Sequence, residues 1–274
     1  MVVLMEKNKR AIGVFDSGIG GVTVLKKIKE ELPHEKIVYF GDTKRLPYGT
    51  KNKGCIIKNS RQIVRFLMSK NVKAIVIACN SISAVSLDIL RKEFDIPFIE
   101  VIEPASYDAV LATRNKKVGI IATETTVKSG IYKKKIKIID QEIEVYSKAC
   151  TLFVPLVEEG LVDSKIAESV AKTYLQGILG KKVDTLVLGC THYPLLYKHI
   201  RGAVGLDISI IDPSNATSKV AKEQLLKRNL LSSDISNKNT CDFYVSGDTQ
   251  KFNELCDKLM GYKCKSIYID IESY

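Results

Sequence analysis

Short, almost uninterrupted apolar runs alternate with amphipathic segments along most of this chain. Runs such as AIVIA at 74–78 and TLVLG at 185–189 lack the polar–apolar alternation of a half-solvated strand, so they indicate strands covered on both faces. The segments between the runs have helical spacing, as in SAVSLDILRKEF at 83–94. Strands that alternate with helices predict an α/β protein with mainly parallel sheets. We also expect a strand over IPFIEVI at 96–102 and a surface loop at 230–240.

Length and cysteine content indicate a chain that stays inside the cell. A chain of 274 residues is long enough for two domains. No apolar run approaches the ~20 residues needed to span a bilayer, and the apolar part of MVVLMEKNKR is too short for a signal peptide. The seven cysteines are odd in number and include no CxxC pair, unlike a secreted disulfide framework. We therefore expect a cytoplasmic protein with reduced thiols and no membrane association.

The net charge of +11 arises from 42 Lys and Arg against 31 Asp and Glu. Such an excess is compatible with nucleic acid or small anions as partners. The lysines are scattered, however, and the densest run, YKKKIKIID at 132–140, has no interleaved aromatic residues. We interpret the charge as that of a solvated surface, and nucleic acid is not the favoured partner.

Four small polar pairs stand at the predicted carboxyl ends of apolar strands. In open α/β sheets that edge is where ligands bind, and hydroxyls and helix N-termini there can hold a carboxylate or a phosphate. The same residue types are favoured helix N-caps, so capping explains any single pair equally well. Four pairs together, two of them next to a cysteine, favour a ligand site. The pairs are Asp16–Ser17, Asp42–Thr43, Asn80–Ser81 and Thr191–His192.

Two cysteines, Cys79 and Cys190, each end an apolar run and precede one of these pairs. At a strand-to-helix turn, the helix N-terminus is expected to stabilise the thiolate and to lower the pKa of the thiol. A thiolate can act there as nucleophile, redox centre or proton-transfer base, whereas a lone strand-end cysteine is often a small buried hydrophobe. The duplicated setting favours two thiols that face each other across a cleft between two halves. Taking a proton from one face of a carbon and returning one to the other face inverts a stereocentre.

Six segments carry the most specific signal: GVFDSGIGGVTVL, YFGDTKRLPYG, IVIACNSISA, GIIATETTVKSGIY, FVPLVEEG and LVLGCTHYPLL. In this order they resemble segments of bacterial glutamate racemases, cofactor-independent members of the aspartate/glutamate racemase family. The resemblance implies interconversion of L- and D-glutamate, which supplies D-glutamate for peptidoglycan. It also implies two pseudo-symmetric α/β domains, an active site in the cleft between them, and a homodimer.

The resemblance further implies where the chain crosses between the domains. Residues 1–101 together with 213–274 are expected to form the first α/β domain, which holds Cys79. Residues 102–212 are expected to form the second α/β domain, which holds Cys190. Both crossings lie at turns marked by proline, within IEP and IDPSN.

By position, Cys79 and Cys190 match the two acid/base thiols of the family, the first acting on D-glutamate and the second on L-glutamate. The polar groups that assist the thiols match Asp16, His192 and Glu158. The resemblance implies neither a metal nor a cofactor. The residue spacing agrees, because Cys190 with His192 is a single pair and does not make a zinc site.

The remaining matched positions are those that bind substrate in the family. Ser81 stands where threonine is more usual, but it keeps the hydroxyl. Glu159 follows Glu158 directly, so the identity of the assisting carboxylate stays open. The matched substrate-binding residues are Asp16, Ser17, Tyr48, Gly49, Asn80, Ser81, Thr191 and His192.

Two other classes of function also stay open. A racemase of aspartate or of another amino acid, or a decarboxylase, could use the same scaffold, but a decarboxylase would need only one of the two cysteines. A non-catalytic basic protein that binds nucleic acid or has a regulatory role would need neither. The presence of both Cys79 and Cys190 argues against the last class.

Overall fold

The computed structural model describes residues 9–232 and 240–274, and its strands form two sheets. The loop predicted at 230–240 lies largely outside the described residues. The first sheet contains β1 (Ile12–Asp16), β2 (Ile37–Gly41), β3 (Ala74–Ile77), β4 (Phe98–Glu100), β9 (Cys241–Val245) and β10 (Ser266–Tyr268), in the order β10-β9-β2-β1-β3-β4. The second contains β5 (Lys117–Ala122), β6 (Glu144–Ala149), β7 (Thr185–Gly189) and β8 (Ser209–Ile211), in the order β6-β5-β7-β8. All strand pairs in these ranges are parallel, which confirms the predicted fold class.

The helices lie mostly between consecutive strands, as the alternating pattern predicts. Several begin at a residue whose side chain accepts a hydrogen bond from the first turn: Asn52 accepts from Cys55 N at 2.8 Å, and Ser164 accepts from Ala167 N at 3.1 Å. The α-helices of the described residues are α1 (Val22–Glu31), α2 (Lys53–Ser69), α3 (Asn80–Glu93), α4 (Ile102–Ala112), α5 (Glu124–Ser129), α6 (Ile131–Ile139), α7 (Phe153–Glu158), α8 (Lys165–Leu179), α9 (Tyr197–Val204), α10 (Pro213–Lys227) and α11 (Thr249–Met260).

Burial along the strands follows their place in the sheets. Every residue of β1, β2, β3 and β7 is buried, in agreement with the uninterrupted apolar runs. These four strands are internal to their sheets. The edge strand β6 is different, because its residues are exposed or half-buried. Continuous apolar sequence is therefore a property of the central strands.

One predicted strand is too long at its carboxyl end. The prediction covered 96–102, but β4 ends at Glu100 and α4 begins at Ile102. The carboxylate of Glu100 accepts hydrogen bonds from Ile102 N at 2.6 Å and from Glu103 N at 2.7 Å. These bonds satisfy amides that have no partner within the first helical turn, so they stabilise the start of α4 at this point.

The two sheets come from different parts of the chain. The first is built from segments within 12–100 and 241–268, and the second from segments within 117–211. Helix α10 packs against both α1 and α4, and one hydrophobic cluster includes side chains from both sheets. The domain boundaries at 101/102 and 212/213 stay a prediction. Within 9–232 and 240–274, no helix has the length and apolar character needed to cross a membrane.

Candidate active site

A cavity of about 140 Å³ lies at the carboxyl ends of β1, β3 and β7, so both sheets contribute to its wall. Nine of the predicted site residues line it. Asp16 and Glu158 do not line it, but each contacts a residue that does. The lining contains no lysine or arginine, so an anionic ligand would depend on amides, hydroxyls and the imidazole there. The nine residues are Ser17, Tyr48, Gly49, Cys79, Asn80, Ser81, Cys190, Thr191 and His192.

Cys79 occupies the N-cap position of α3 and is buried. Its Sγ donates a hydrogen bond to Ser17 Oγ at 3.6 Å. Burial, followed by the nearby charge of Asp16, raises the pKa of the Cys79 thiol, and the hydrogen bonds that Ile82 N and the Ser17 hydroxyl can donate to a thiolate only partly oppose this. The expected low pKa of this thiol is therefore wrong, because burial outweighs the opposing effect of the helix N-terminus. At neutral pH, Cys79 is therefore held as a thiol.

Cys190 is part of a hydrogen-bonded chain that reaches Glu158. Its Sγ lies 3.9 Å from Nδ1 of His192, and Nε2 of His192 lies 2.7 Å from Oε1 of Glu158. Burial disfavours a charged imidazole, but the hydrogen bonds to Cys190 and Glu158 outweigh it and raise the pKa of His192 to about 10. At neutral pH, His192 is therefore a cation beside the Cys190 sulfur.

The two adjacent glutamates have different partners. Glu158, at the end of α7, contacts the buried imidazole of His192. Glu159 instead pairs with Lys251 at 3.2 Å, and both of these side chains are more than half exposed. The sequence left the choice between the two glutamates open, and Glu158 is the one that reaches the imidazole.

Asp16 links the loop after β1 to the turn that carries Cys190. Its Oδ2 accepts hydrogen bonds from Gly18 N and Gly21 N, each at 3.0 Å, and its Oδ1 accepts one from Thr191 Oγ1 at 3.3 Å. Burial is the main cause that raises the pKa of Asp16. Gly20 is required for the close approach, because a Cβ there would lie 2.4 Å from Nδ1 of His192. The glycine-rich segment after β1 thus brings the two halves of the site together.

Ser81 belongs to a group of hydroxyls that crosses between the sheets. Its Oγ lies 2.8 Å from Thr123 Oγ1, which in turn lies 3.1 Å from Thr126 Oγ1. Ser81 lies in the first turn of α3, which follows β3, whereas Thr123 follows β5 of the other sheet. The sequence prediction did not include Thr123, although it lines the cavity and ends a strand just as the predicted pairs do. The same strand-end rule, applied to ATET at 122–125, would have found it.

Other lining residues have a weaker signal in the sequence. Cys150 and Thr151 follow the exposed edge strand β6, so no uninterrupted apolar run pointed to them. Leu46, Pro47 and Val154 supply apolar wall. In the described ranges, no cluster of three or more His, Cys, Asp or Glu side chains is arranged to hold a metal ion.

Asp42, from the second strand-end pair, anchors the cavity wall and does not line the cavity. It is buried and accepts hydrogen bonds from the Tyr48 hydroxyl, from Arg45 Nε at 2.7 Å and from Ser246 Oγ at 2.7 Å. Farther along the same loop, the carbonyl of Gly49 accepts a hydrogen bond from Thr125 Oγ1 at 2.9 Å. Asp42 therefore holds the segment that presents Tyr48 and Gly49 to the cavity.

We expect Asp42→Ala to lower the free energy of unfolding by about 3–5 kcal/mol, because it leaves the largely buried Arg45 guanidinium without its carboxylate. Urea denaturation followed by circular dichroism measures the change. Glu93→Ala is the control, since it removes the carboxylate of a solvent-exposed pair with Arg61 and should leave the midpoint almost unchanged. Equal midpoints for the two variants would contradict the anchoring role.

The model of the Asp/Glu/Hydantoin racemase family matches residues 12–221, a stretch that contains every predicted site residue. The chain belongs to this family. Glutamate racemase of Thermoanaerobacter pseudethanolicus is 47% identical over 268 residues, which cover 97% of this chain and 100% of that protein. The resemblance to glutamate racemases is thereby confirmed over the whole length of that relative.

Solved structures agree with the sequence relationship. Glutamate racemase isoform RacE1 from Bacillus anthracis has a TM-score of 0.91 at 33% identity and covers 95% of this chain and 97% of its own. Glutamate racemase from Francisella tularensis subsp. tularensis, solved in complex with D-glutamate, has a TM-score of 0.89 at 40% identity and covers 97% of this chain and 100% of its own. This chain therefore shares its two-sheet α/β fold with these proteins.

Proposed function

We propose that this racemase interconverts L- and D-glutamate without a cofactor and uses Cys79 and Cys190 as its two acid/base groups. The observation that carries the proposal is the presence of both buried thiols in one small cavity, each following a strand of a different sheet. Relatives that align over nearly the whole chain are named glutamate racemase, and one structural neighbour contains D-glutamate.

In the L-to-D direction, Cys190 removes the α-proton and Cys79 delivers a proton to the opposite face. The imidazolium of His192, 3.9 Å from Cys190 Sγ, stabilises negative charge on that sulfur. Burial keeps Cys79 protonated and therefore able to donate. The α-proton is weakly acidic, so the developing carbanion needs preorganised donors. The Asn80 side chain and the amides at the start of α3 supply them.

In the D-to-L direction the roles reverse, and Cys79 must first lose its proton. The cationic ammonium of a bound amino acid favours this loss, because it offsets the charge of a thiolate in a buried site. The Ile82 amide and the Ser17 hydroxyl already stabilise that charge. Substrate binding thus brings a positive charge that favours the Cys79 thiolate.

Polarimetry of the purified protein with each glutamate enantiomer tests the function. We expect the optical rotation of both solutions to decay to zero with no cofactor added, because the two thiols perform both proton transfers. Aspartate and alanine serve as comparison substrates at the same concentration. Faster decay with L-aspartate would favour the aspartate racemase alternative, and no decay with any of the three amino acids would refute a racemase.

We also propose that the enzyme is a cytoplasmic homodimer that supplies D-glutamate for peptidoglycan. Helices α4 and α6 pack together and expose several large apolar side chains, which supports self-association. Light scattering after gel filtration measures the molar mass, and a monomer at micromolar concentration would contradict the dimer. The exposed side chains are Tyr107, Leu111, Ile138 and Ile139.

A further inference from the structure

We propose that Tyr132 is a positioning residue that holds the Asn80 amide in one orientation across the cavity, with its nitrogen turned toward the substrate. The inference rests on the proposed glutamate racemisation and assigns a new role within that site. Tyr132 does not line the cavity, so it acts through Asn80.

The hydrogen bond between these residues joins the two halves of the site. Tyr132 lies on α6, which follows β5 of the four-stranded sheet. Asn80 is the first residue of α3 and directly follows Cys79. The Tyr132 hydroxyl donates to Oδ1 of Asn80 at 2.7 Å, and both side chains are buried. A contact between two buried side chains, on helices that follow strands of different sheets, can set an orientation that neither helix determines alone.

The donor role of Tyr132 determines which end of the amide is left for a ligand. An asparagine amide has one acceptor oxygen and one nitrogen donor group, and Tyr132 occupies the oxygen. Nδ2 of Asn80 is buried and has no hydrogen-bond partner among the described residues. Burial, with Glu100 nearby, raises the pKa of Tyr132 well above its ordinary value, so the hydroxyl remains a donor throughout the working pH range. An unpaired buried donor is costly, and a substrate carboxylate would satisfy it.

The ring of Tyr132 makes a second contact, on the other cysteine segment. A Cβ placed on Gly189 would lie 3.2 Å from Cε2 of Tyr132, so the ring lies over the residue that precedes Cys190. One rigid side chain therefore contacts the residue after Cys79 and the residue before Cys190. Tyr132→Phe keeps the ring contact and removes only the hydroxyl, which isolates the effect on Asn80.

We expect Tyr132→Phe to raise the KM for both L- and D-glutamate about tenfold, with a smaller change in kcat. Without the hydroxyl, the amide can turn and present its oxygen to the substrate carboxylate, and the loss of one oriented hydrogen bond to a charged group has about this effect. Both directions should suffer equally, because Asn80 holds the substrate in each. Removal of either thiol, in contrast, distinguishes the two enantiomers.

A double-mutant cycle of Tyr132→Phe and Asn80→Ala decides the proposal. The readouts are KM and kcat in both directions and the Kd for D-glutamate by calorimetry, with circular dichroism to show that each variant is folded. Tyr132→Phe should raise KM and Kd in the otherwise native protein and should add nothing when Asn80 is already alanine. Tyr262→Phe is the control, since its hydroxyl bonds Lys29 at 2.6 Å and neither residue lines the cavity. The control should keep the native KM.

Two results would overturn the positioning role. One is an unchanged KM and Kd in Tyr132→Phe, and the other is an equal loss in the Asn80→Ala background, which would indicate a general structural effect. Failure of the proposed function has a different signature, because the native protein would then bind or turn over neither glutamate enantiomer. If the native enzyme is active and the effects of the two substitutions add, only the positioning role of Tyr132 is refuted and the proposed function stands.

Discussion

Cys79→Ser and Cys190→Ser should each reduce glutamate racemisation by about 10²–10⁴-fold, the effect of losing one proton-transfer group. A serine hydroxyl is far less acidic than a thiol, so it cannot serve as the abstracting base. Each variant retains one thiol in the cavity, however, and that thiol can still remove a proton from its own face of the substrate. The two variants should therefore differ in which enantiomer they can still deprotonate.

Chloroglutamate, with chloride at the β-carbon, reveals this difference because deprotonation alone leads to elimination of chloride. We expect Cys79→Ser to retain elimination from the L-analogue and Cys190→Ser to retain it from the D-analogue, with free chloride as the readout. Cys55→Ser is the control, since Cys55 lies on α2 outside the cavity and should be dispensable. Near-native racemisation by either active-site variant, or elimination from the same enantiomer by both, would refute the two-thiol mechanism.

Glu158→Gln should lower kcat/KM for L-glutamate roughly 10- to 100-fold, as expected for the loss of a charge-assisted hydrogen bond worth about 1.5–3 kcal/mol. The carboxylate lies 2.7 Å from His192 Nε2 and is one of the two partners that raise the pKa of His192 to about 10. Without it, the imidazolium beside Cys190 is less stable. Glu159→Gln is the matched control, because the Glu159 carboxylate pairs with the exposed end of Lys251 and does not line the cavity, and activity should persist.

The pH dependence follows from the direction of the His192 shift. A pKa of about 10 means that the positive charge is present at neutral pH and is lost only as the pH rises through about 10. In Glu158→Gln the charge should be lost at a lower pH, so the alkaline decline in L-glutamate turnover should move downward. The chain has 3 histidines, so ¹⁵N-histidine NMR can follow each imidazole. An unchanged His192 titration, or an equal activity loss in Glu159→Gln, would contradict the role of Glu158 in the hydrogen-bonded chain to Cys190.

Periodicity and strand-end chemistry were sufficient to predict the fold class and many of the residues that line the cavity. Continuous apolar runs predicted the buried strands β3 and β7, because a strand covered on both faces buries every residue and so favours apolar side chains throughout. The polar pairs after these strands include residues that line one cavity, since parallel strands present their carboxyl ends at a common edge. The carboxyl end of β4 was not predicted correctly, because it depends on the hydrogen bond that the Glu100 carboxylate accepts from Ile102 N at the start of α4.

Contacts between distant segments could not be predicted from the chain alone. The hydrogen bond from Tyr132 to Asn80 joins two helices that follow strands of different sheets, and no local pattern marks the pair. The same holds for the choice of Glu158 over Glu159, which depends on which side chain reaches a buried imidazole. Asp42 had the right local pattern, but the fold uses it to anchor Tyr48 and Arg45.

The Cys79 thiol shows most clearly why local sequence and tertiary structure lead to different conclusions. Its position before α3 is a local property, and the helix N-terminus acting alone would lower the pKa of the thiol. Desolvation depends on everything packed around the sulfur, including Asp16 from another strand, and it raises the pKa instead. Residue type and position along the chain were therefore readable from the sequence. The protonation state was decided by burial, because the energy of a charge depends on all the atoms around it in three dimensions.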